Sequence, residues 1–499
     1  MLLYSHTKKS EMQKKKTTLI QSLIPIIVLI PLLAYNVMIF EDTLSGANQM
    51  ALLFGALIAG LIGTYNNYEY SEMFKGVANN LKETSSAIVI LLFIGSLAGT
   101  WLLSGVVPAM VYYGLKILNP TIFLFASAII SALISIATGS SWSTVATIGV
   151  ALLGIGKALG LPEEVIGGAI ISGAYFGDKM SPMSDTTNLA PAMAGTDLFT
   201  HIKYMTYTTF PSMAIALIIY LIMGFSYSET AAVVDIHVIQ DALTDTFNIT
   251  PWLFLVPVIV IFMIIKKVPA LPALFLGTLL GGVFAYIFQP HLLQLISGSE
   301  ELTFQTTYKT IIQSMIGETN LATHNKLLDS LLTTSGMAGM LNTIWLIITA
   351  MIFGGIMESI GALHTISNAL LKTGKGIVSL IIATTGTSIF FNLTASDQYL
   401  AIVVPGRMYA EAYKDRGLAP ENLSRTLEDS GTVTSVLIPW NTCGATQASV
   451  LGVSTMAYAP YAFFNLLSPI MTMIFAIFKI KIRMLIDKNK TEQKEITNK

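Results

Sequence analysis

The sequence predicts an all-α polytopic membrane protein made of two inverted-topology repeats. Of the 499 residues, 53% are hydrophobic and only 11% are charged, and the mean hydropathy is +0.67, whereas soluble domains carry about 25% charged residues. Long apolar stretches recur along the whole chain, and the second half repeats the arrangement of the first. Each repeat is predicted to contain about five spanning helices, a re-entrant hairpin and a broken helix.

Ten crossings are predicted because a helix needs about 20 apolar residues to cross a hydrocarbon core. Lys8, Lys9 and Lys14 precede the first apolar run, which is long enough to span, so we interpret it as a retained helix and not as a cleaved signal peptide. The predicted crossings are residues 19–40, 50–65, 85–103, a broken span at 164–194, 204–225, 251–265, 270–288, 341–358, a broken span at 422–456, and 458–478.

Two further apolar stretches, residues 120–156 and 376–412, are interrupted near their middle by polar residues. The interruptions are TGSSWST at 138–144 and NLTASDQ at 392–398. Each arm is predicted to have about 15 residues or fewer, which is short for a crossing. Both stretches are therefore predicted to be re-entrant hairpins.

The distribution of Lys and Arg predicts a cytoplasmic location for both termini, because cytoplasmic loops carry an excess of basic residues. With ten crossings, the two tails and the basic residues near 266, 372 and 414 fall on one side, and an acidic connection without Lys or Arg falls on the other. The predicted organisation is a cytoplasmic basic tail at 1–18, a first transmembrane repeat at 19–226, an external acidic connection at 227–250, a second transmembrane repeat at 251–478, and a cytoplasmic basic tail at 479–499.

The two halves align at an offset of about 256 residues, and an odd number of crossings in each half makes such a repeat inverted in the membrane. TGSSW at Thr138 aligns with TASDQ at Thr394, and the Leu-Pro-Glu at Leu161 aligns with the Ala-Pro-Glu at Ala419. Interrupted helices at corresponding positions of inverted halves mark a binding site near the bilayer midplane. The breaks at 138–144, 178–188, 392–398 and 439–446 are therefore predicted to converge on one site.

Carboxylates within these segments are the candidate ion carriers, because an ionised group inside a membrane is costly and by default functional. Asp185 and Asp397 are the predicted ligands of a transported sodium ion, with an N-cap role as the alternative for Asp397. Asp178 is a further ligand candidate, whose alternative is to neutralise Lys179 or to cap a half-helix. Glu358 and Asp429 are additional candidates.

Neutral oxygens at the breaks are predicted to complete the coordination, because a dehydrated alkali cation takes several hard oxygen ligands. Each could instead satisfy backbone groups at a helix break. These residues are Ser140, Ser141, Thr186, Thr187, Asn188, Asn392, Thr394, Ser396, Asn441 and Thr442.

The segment GDKMSPMSDTTNLAPAMAGTD at 177–197, together with the TGSSW segment, resembles the signature of NhaC-type sodium/proton antiporters. The similarity extends over about residues 19–478. The resemblance implies secondary antiport of Na⁺ against H⁺ in a prokaryotic plasma membrane and, through the larger ion-transporter superfamily, paired re-entrant hairpins and a homodimer. Antiporters that exchange malate and protons for sodium and lactate belong to the same family, so small carboxylates are alternative substrates.

The predicted mechanism is competition between Na⁺ and H⁺ for shared carboxylates, combined with alternating access. No cofactor is predicted, and a net charge of −1 gives no indication of nucleic-acid binding. An intramembrane hydrolase is not predicted, because the His residues fall in tails, connections and helix ends and no HExxH motif occurs. A cation channel is the remaining rival class, and carboxylate exchange would require a cation at the substrate, from Lys179, Arg407 or Arg425.

Overall fold

A computed structural model describes residues 14–40, 45–231, 236–299, 301–320, 333–373 and 376–485. Several charges used above for topology, including Lys8, Lys9 and Asp235 of the acidic connection at 227–250, lie outside these residues. The described chain is built almost entirely from helices, and two-residue strands at Thr319–Asn320 and Thr333–Thr334 form one short antiparallel pair.

Among the described residues, the first half contains eleven helices and one π-helical turn. They are α1 (Leu19–Ile39), α2 (Ala47–Tyr65), α3 (Tyr70–Leu103), α4 (Val106–Ile117), α5 (Pro120–Thr138), α6 (Ser141–Thr144), a π-helical turn (Val145–Gly149), α7 (Val150–Ala158), α8 (Glu163–Met180), α9 (Asp185–Ala194), α10 (Leu198–Ala231) and α11 (Ile236–Thr246).

The helices and short helical turns of the second half also vary widely in length. They are a 3₁₀ turn (Pro251–Phe254), α12 (Leu255–Ile265), α13 (Ala270–Phe288), α14 (Pro290–Ser297), α15 (Phe304–Ile316), a 3₁₀ turn (Gly336–Met340), α16 (Leu341–Ser359), α17 (Ala362–Thr373), α18 (Ile377–Thr394), α19 (Leu400–Asp415), α20 (Pro420–Leu427), a π-helical turn (Glu428–Thr432), α21 (Val433–Ser435), α22 (Thr442–Leu451), α23 (Thr455–Tyr458), a 3₁₀ turn (Ala459–Tyr461) and α24 (Phe463–Ile477).

Eight helices of the described chain are long and apolar enough to cross a membrane, or ten if each of two sharply bent pairs is one span. This confirms the predicted all-α polytopic architecture. Large apolar side chains such as Ile27, Phe225 and Phe262 are 57–64% exposed on the outer surface. A lipid-facing surface is expected to look like this, because hydrocarbon tails and not water surround it.

The predicted arm length of the two interrupted stretches is wrong. Helix α5 has 19 residues and α18 has 18, which corresponds to about 27–28 Å at 1.5 Å per residue. The polar side chains inside these arms do not break them, because their hydroxyls bond to carbonyls, as Ser135 Oγ does to the Ala174 oxygen at 2.6 Å. Arm length alone therefore does not distinguish re-entry from crossing.

The stretch 120–158, named hairpin A, doubles back on itself beside α8. Ser135 and Ser181 tie α5 to α8 in parallel, since Ser181 Oγ donates to the Ile136 oxygen at 2.8 Å. The second arm, α7, ends near the first turns of α5 and α8, because Gly156 packs between Phe123 and Ile166. Small residues let these helices approach closely, and a Cβ at Gly173 would collide with the Ala128 carbonyl.

The stretch 377–415, named hairpin B, also doubles back on itself beside the helix that follows it. Thr387 Oγ1 and the Tyr409 hydroxyl lie 2.8 Å apart, which pairs its two arms in antiparallel fashion. Asn392 Nδ2 donates to the Gly431 oxygen at 2.6 Å, near the level of the turn between the arms. We name residues 163–194 broken helix A and residues 420–451 broken helix B.

Helix α10 runs between the bases of the two hairpins. At its start, the Tyr204 hydroxyl donates to Asn422 Oδ1 at 2.6 Å, next to the base of hairpin B. Towards its end, Gly224 packs directly against the carbonyl of Thr121, at the base of hairpin A. The two hairpins therefore have their bases at opposite ends of the bundle, and their tips approach each other in its interior.

Candidate functional site

The tip of hairpin A lies against the break of broken helix A. Gly139 ends α5 with φ +70°, a left-handed conformation that favours glycine. A Cβ at this position would lie 2.7 Å from the Met183 Cβ, so glycine also permits the close approach of the two breaks. Ser140 then caps the next helix, its hydroxyl oxygen accepting from the Ser143 N–H at 3.2 Å.

Asp178 connects broken helix A to this tip. Its Oδ2 accepts from the Ser141 backbone N–H at 3.1 Å and from the Ser141 hydroxyl at 2.6 Å. The predicted capping alternative is therefore observed, because the carboxylate satisfies an N–H in the first turn of α6. The other alternative is wrong: Lys179 pairs with Asp429 and not with Asp178.

The break of broken helix A, residues 181–184, is held by side chains from the turn that follows it. Thr187 Oγ1 donates to the carbonyl oxygens of Asp178 and Lys179, each at 3.1 Å. Asn188 Nδ2 donates to the carbonyl oxygens of Pro182 and Ser184. Thr187 and Asn188 thus replace backbone hydrogen bonds that the break removes.

Asp185 is the first residue of α9, and its side chain is exposed. No hydrogen bond from the described residues reaches its carboxylate. A negative charge in the first turn of a helix is stabilised by the helix dipole, by about 0.3–1 kcal/mol. Asp185 is therefore a carboxylate at a helix N-terminus that remains available to a ligand.

The tip of hairpin B and the break of broken helix B form the corresponding pair. Asp397 Oδ1 accepts from the backbone N–H groups of Tyr399 and Leu400, at 2.9 and 3.0 Å. Asp397 thus bonds N–H groups at the start of α19, as the predicted N-cap alternative would, although the residue immediately before that helix is Tyr399. Its Oδ2 has no hydrogen-bond partner among the residues that the structure describes.

Asn441 fixes broken helix B to the tip of hairpin B. Its Nδ2 donates to the Asn392 backbone oxygen at 3.1 Å, and the Thr442 N–H donates to the Ser396 oxygen at 2.9 Å. Ser396 has φ +60°, which a non-glycine residue rarely adopts. Thr394 Oγ1 donates within its own helix, to the Phe390 oxygen. These residues shape the tip.

One cavity of about 680 Å³ lies where the four breaks meet. Six of the predicted site residues line it, and they come from both halves of the chain. They are Ser140, Asp178, Asp185, Thr186, Asp397 and Thr442. The remaining predicted neutral ligands are not part of the lining. Bonds to the backbone or to neighbouring side chains are made by Ser141, Thr187, Asn188, Asn392, Thr394 and Asn441. The buried hydroxyl of Ser396 has no hydrogen-bond partner among the described residues.

The charge of the lining is strongly acidic. Glu83, Asp178, Asp185 and Asp397 contribute carboxyl groups, whereas Lys267 is the one basic residue of the lining. Sequence reasoning missed Glu83, because the first turns of α3, from Tyr70, are polar and were placed outside the predicted crossing at 85–103. The signal that could have found it is that the polar turns continue directly into the apolar helix without a Pro or Gly break at the junction.

Glu358, a further predicted candidate, does not line this cavity. It lines a second cavity of about 520 Å³ together with Lys14, Lys75 and Glu83, next to the start of α3. Glu83 belongs to the lining of both cavities. Glu358 is therefore connected to the first cavity only through a shared neighbour.

Asp429 is buried in an ion pair. Its side chain is 0% exposed, it pairs with Lys179 of broken helix A, and Ser468 Oγ donates to it at 2.9 Å and Thr208 Oγ1 at 2.8 Å. Thr472 also donates to it. With this many donors Asp429 is saturated, and it does not line the cavity.

The three cations that carboxylate exchange would need are not in the lining of the cavity. Lys179 is paired with Asp429, and Arg425 is 0% exposed with its guanidinium 4.5 Å from the Tyr204 ring centroid. Arg407 is exposed on α19. The site therefore presents carboxylates and hydroxyls to a ligand.

The chain is similar to a known protein family and to several known antiporters. The model of the Na⁺/H⁺ antiporter family matches residues 173–480. The chain is 37% identical to the Na⁺/H⁺ antiporter NhaC of Alkalihalophilus pseudofirmus, over 85% of this chain and 89% of that protein. It is 33% identical to the malate-2H⁺/Na⁺-lactate antiporter of Bacillus subtilis, over 89% and 92%, and 34% identical to the arginine/ornithine antiporter ArcD of Halobacterium salinarum, over 94% of each.

Proposed function

The chain belongs to the Na⁺/H⁺ antiporter family, and we propose that it exchanges Na⁺ for H⁺ across a prokaryotic plasma membrane at the carboxylates of the acidic cavity. Membership of this family makes it a transporter and not an enzyme. The observation that carries the proposal is that Asp178, Asp185 and Asp397, from breaks in both halves of the chain, line one cavity.

Competition couples the two ions. Na⁺ takes several oxygen ligands, and no group of three Asp, Glu, His or Cys side chains in the described chain is placed to hold a metal ion. One or two carboxylates, Asp185 and Asp397, would therefore bind Na⁺ together with hydroxyls such as those of Ser140 and Thr442. A proton on the same carboxylates removes their charge, so binding of one ion expels the other.

We further propose that the hairpins are re-entrant and that the halves are inverted repeats. Three features support this proposal. Each hairpin turns at the level of a helix break, and the first arm of each hairpin runs parallel to the following broken helix. The bases of the two hairpins lie at opposite ends of α10. Alternating access would then move the hairpins and broken helices against the surrounding helices, with the site fixed near the midplane. A homodimer, which the superfamily resemblance implies, is part of the same proposal.

The lining also favours cations over carboxylate substrates, because its single basic residue is Lys267. A cavity of about 680 Å³ with four carboxyl groups could also hold a small organic cation. Exchange of a basic amino acid, the chemistry named for ArcD, is therefore a second candidate function. Exchange of malate or lactate has no comparable support in the lining.

A flux assay tests the proposal directly. In proteoliposomes holding a pH gradient, addition of Na⁺ is expected to drive proton movement without a further solute, and malate, lactate, arginine or ornithine should not be required. Proton movement that depends on arginine or ornithine would support the second candidate. Sodium flux that only runs down its own gradient, whatever the pH gradient, would identify a channel and contradict exchange.

Cysteine labelling tests the topology. In a Cys443→Ser background, cysteines at Lys116 and Glu164, on either side of hairpin A, are expected to react with an impermeant thiol reagent from outside. Cysteines at Lys372 and Lys414, which flank hairpin B and are exposed, are expected to react only after permeabilisation. The reason is that a hairpin enters and leaves the membrane through the same face. The excess of basic residues predicts that the two ends of hairpin B lie on the cytoplasmic side.

If the two members of either pair are labelled from opposite sides, that stretch spans the bilayer and the inverted arrangement is wrong. The labelling also tests the orientation of the termini. Lys267 lines the cavity and is predicted to be cytoplasmic. We propose that the cavity opens to the cytoplasm in this conformation. A cysteine at Lys267, like one at Lys372, should therefore react only after permeabilisation.

A further inference from the structure

Glu428 is a buried carboxyl group that the exchange mechanism above does not use. It starts the π-helical turn of broken helix B and is 0% exposed. Neither of its side-chain oxygens has a hydrogen-bond partner among the described residues. A charged carboxylate without partners in such a place would be very costly, and π-helical turns occur frequently at functional sites.

Glu428 interacts with residues that line the acidic cavity, although it is not itself part of the lining. The groups that interact with it are the hydroxyls of Thr186 and Thr432 and the charged Asp178 and Lys179. Thr186 and Asp178 also line the cavity. Thr432 Oγ1 is buried and likewise has no hydrogen-bond partner in the described chain, so an O–H on Glu428 would find an acceptor there.

A proton suits this position better than a sodium ion does. Na⁺ would need several oxygen ligands, and the ammonium of Lys179, which interacts with Glu428, disfavours a second cation at this place. A proton needs one acceptor. We propose that Glu428 is a second proton-binding site, whose proton is carried in each cycle in addition to the proton that Na⁺ displaces from the cavity.

The transfer is a simple proton exchange. The O–H bond of the Glu428 carboxylic acid breaks and an O–H bond forms on the Asp178 carboxylate, which opens to the cavity. The carboxylate left on Glu428 is stabilised by the ammonium of Lys179, which it shares with Asp429. Among the described residues, the other charged groups near this turn lie on the same broken helix: Asp429, which is paired with Lys179, and the buried Arg425, which interacts with Lys179. Asn392, Ser468 and Thr472, from the elements packed against the turn, do not titrate.

The test measures how many protons move for each Na⁺. In proteoliposomes with the membrane potential clamped at zero, a fixed Na⁺ gradient is balanced by a pH gradient at which net flux stops. That pH gradient is inversely proportional to the number of protons per Na⁺. Glu428→Gln, which resembles the protonated acid, is expected to retain exchange of Na⁺ for Na⁺ and to need twice the wild-type pH gradient for balance.

An unchanged balance point in Glu428→Gln would overturn the inference, since Glu428 would then be a permanently protonated structural residue. The inference rests on the proposed exchange, but the two fail differently: if wild type shows no coupling of Na⁺ to H⁺, the proposed function fails first. The matched control is Glu421→Gln on the same broken helix, whose carboxylate pairs with Arg483 at 2.8 Å. Its balance point is expected to equal that of wild type.

A second variant keeps the test decisive if Glu428→Gln does not fold. Glu428→Asp keeps an acid but moves it by one methylene, so the balance point should remain that of wild type while the pH profile of exchange shifts. A structural acid that never releases its proton would leave the profile where it is in wild type, and that result would overturn the proposal.

Discussion

Asp185→Asn and Asp397→Asn are each expected to abolish Na⁺-driven proton movement while the protein still inserts and folds. Both side chains line the acidic cavity, and the amide of Asn can neither titrate nor neutralise a sodium ion. The loss of coupling should therefore be complete in each single variant, because the two carboxylates come from different halves of the chain and neither can replace the other.

Retained folding follows from the local roles of the two residues. Asn is as good an N-cap as Asp, so Asp397→Asn should keep the bonds from the Tyr399 and Leu400 N–H groups. Asp185 makes no hydrogen bond with the described residues, and its loss from a first helical turn costs about 0.3–1 kcal/mol. Wild-type thermal unfolding in detergent, within a few degrees, is the expected check.

The measurement is proton movement in proteoliposomes after addition of Na⁺. Asp241→Asn, at an exposed acid of α11 away from the cavity, serves as the matched control and should transport like wild type. Normal Na⁺-driven proton movement in Asp185→Asn or Asp397→Asn would remove that residue from the coupling step.

The breaks were predictable because polar residues interrupt apolar runs. Pro182 with its neighbouring serines, and the Asn and Thr of hairpin B, cannot continue a lipid-embedded helix without compensation, so the sequence located all four breaks. The contacts that close them are local or nearly so, as for Thr187 with the carbonyl of Asp178. The roles of individual oxygens were not predictable, since a hydroxyl that lines a cavity and one that repairs a break look alike in sequence.

Partners from distant parts of the chain escaped prediction for a different reason. Lys179 and Asp429 are 250 residues apart, and the order of the chain does not reveal that they meet. Asp429 and Glu428 are neighbours in sequence, yet one is saturated by donors and the other has none among the described residues. The orientation of a side chain on a π-helical turn decides between these outcomes, and hydropathy carries no information on it.

The second large effect is expected at the buried ion pair. Lys179→Met should destabilise the protein strongly, by about 3–5 kcal/mol, because removal of one member of a buried pair leaves an uncompensated charge on the other. Both side chains are 0% exposed, so water cannot compensate Asp429 in the variant. The pair joins broken helix A to broken helix B, and its loss should loosen the contact between the two halves.

The double variant Lys179→Met/Asp429→Leu separates charge from packing. Replacement of a buried pair by apolar residues of similar size is often neutral or stabilising, so the double variant should be more stable than Lys179→Met. Lys157→Met is the control, since Lys157 pairs with Glu163 at 3.0 Å in a partly exposed position, where a pair contributes about 0–1 kcal/mol. Thermal unfolding in detergent measures all three, and a Lys179→Met protein as stable as the control would mean that Asp429 carries a proton and that the two residues do not form an ion pair.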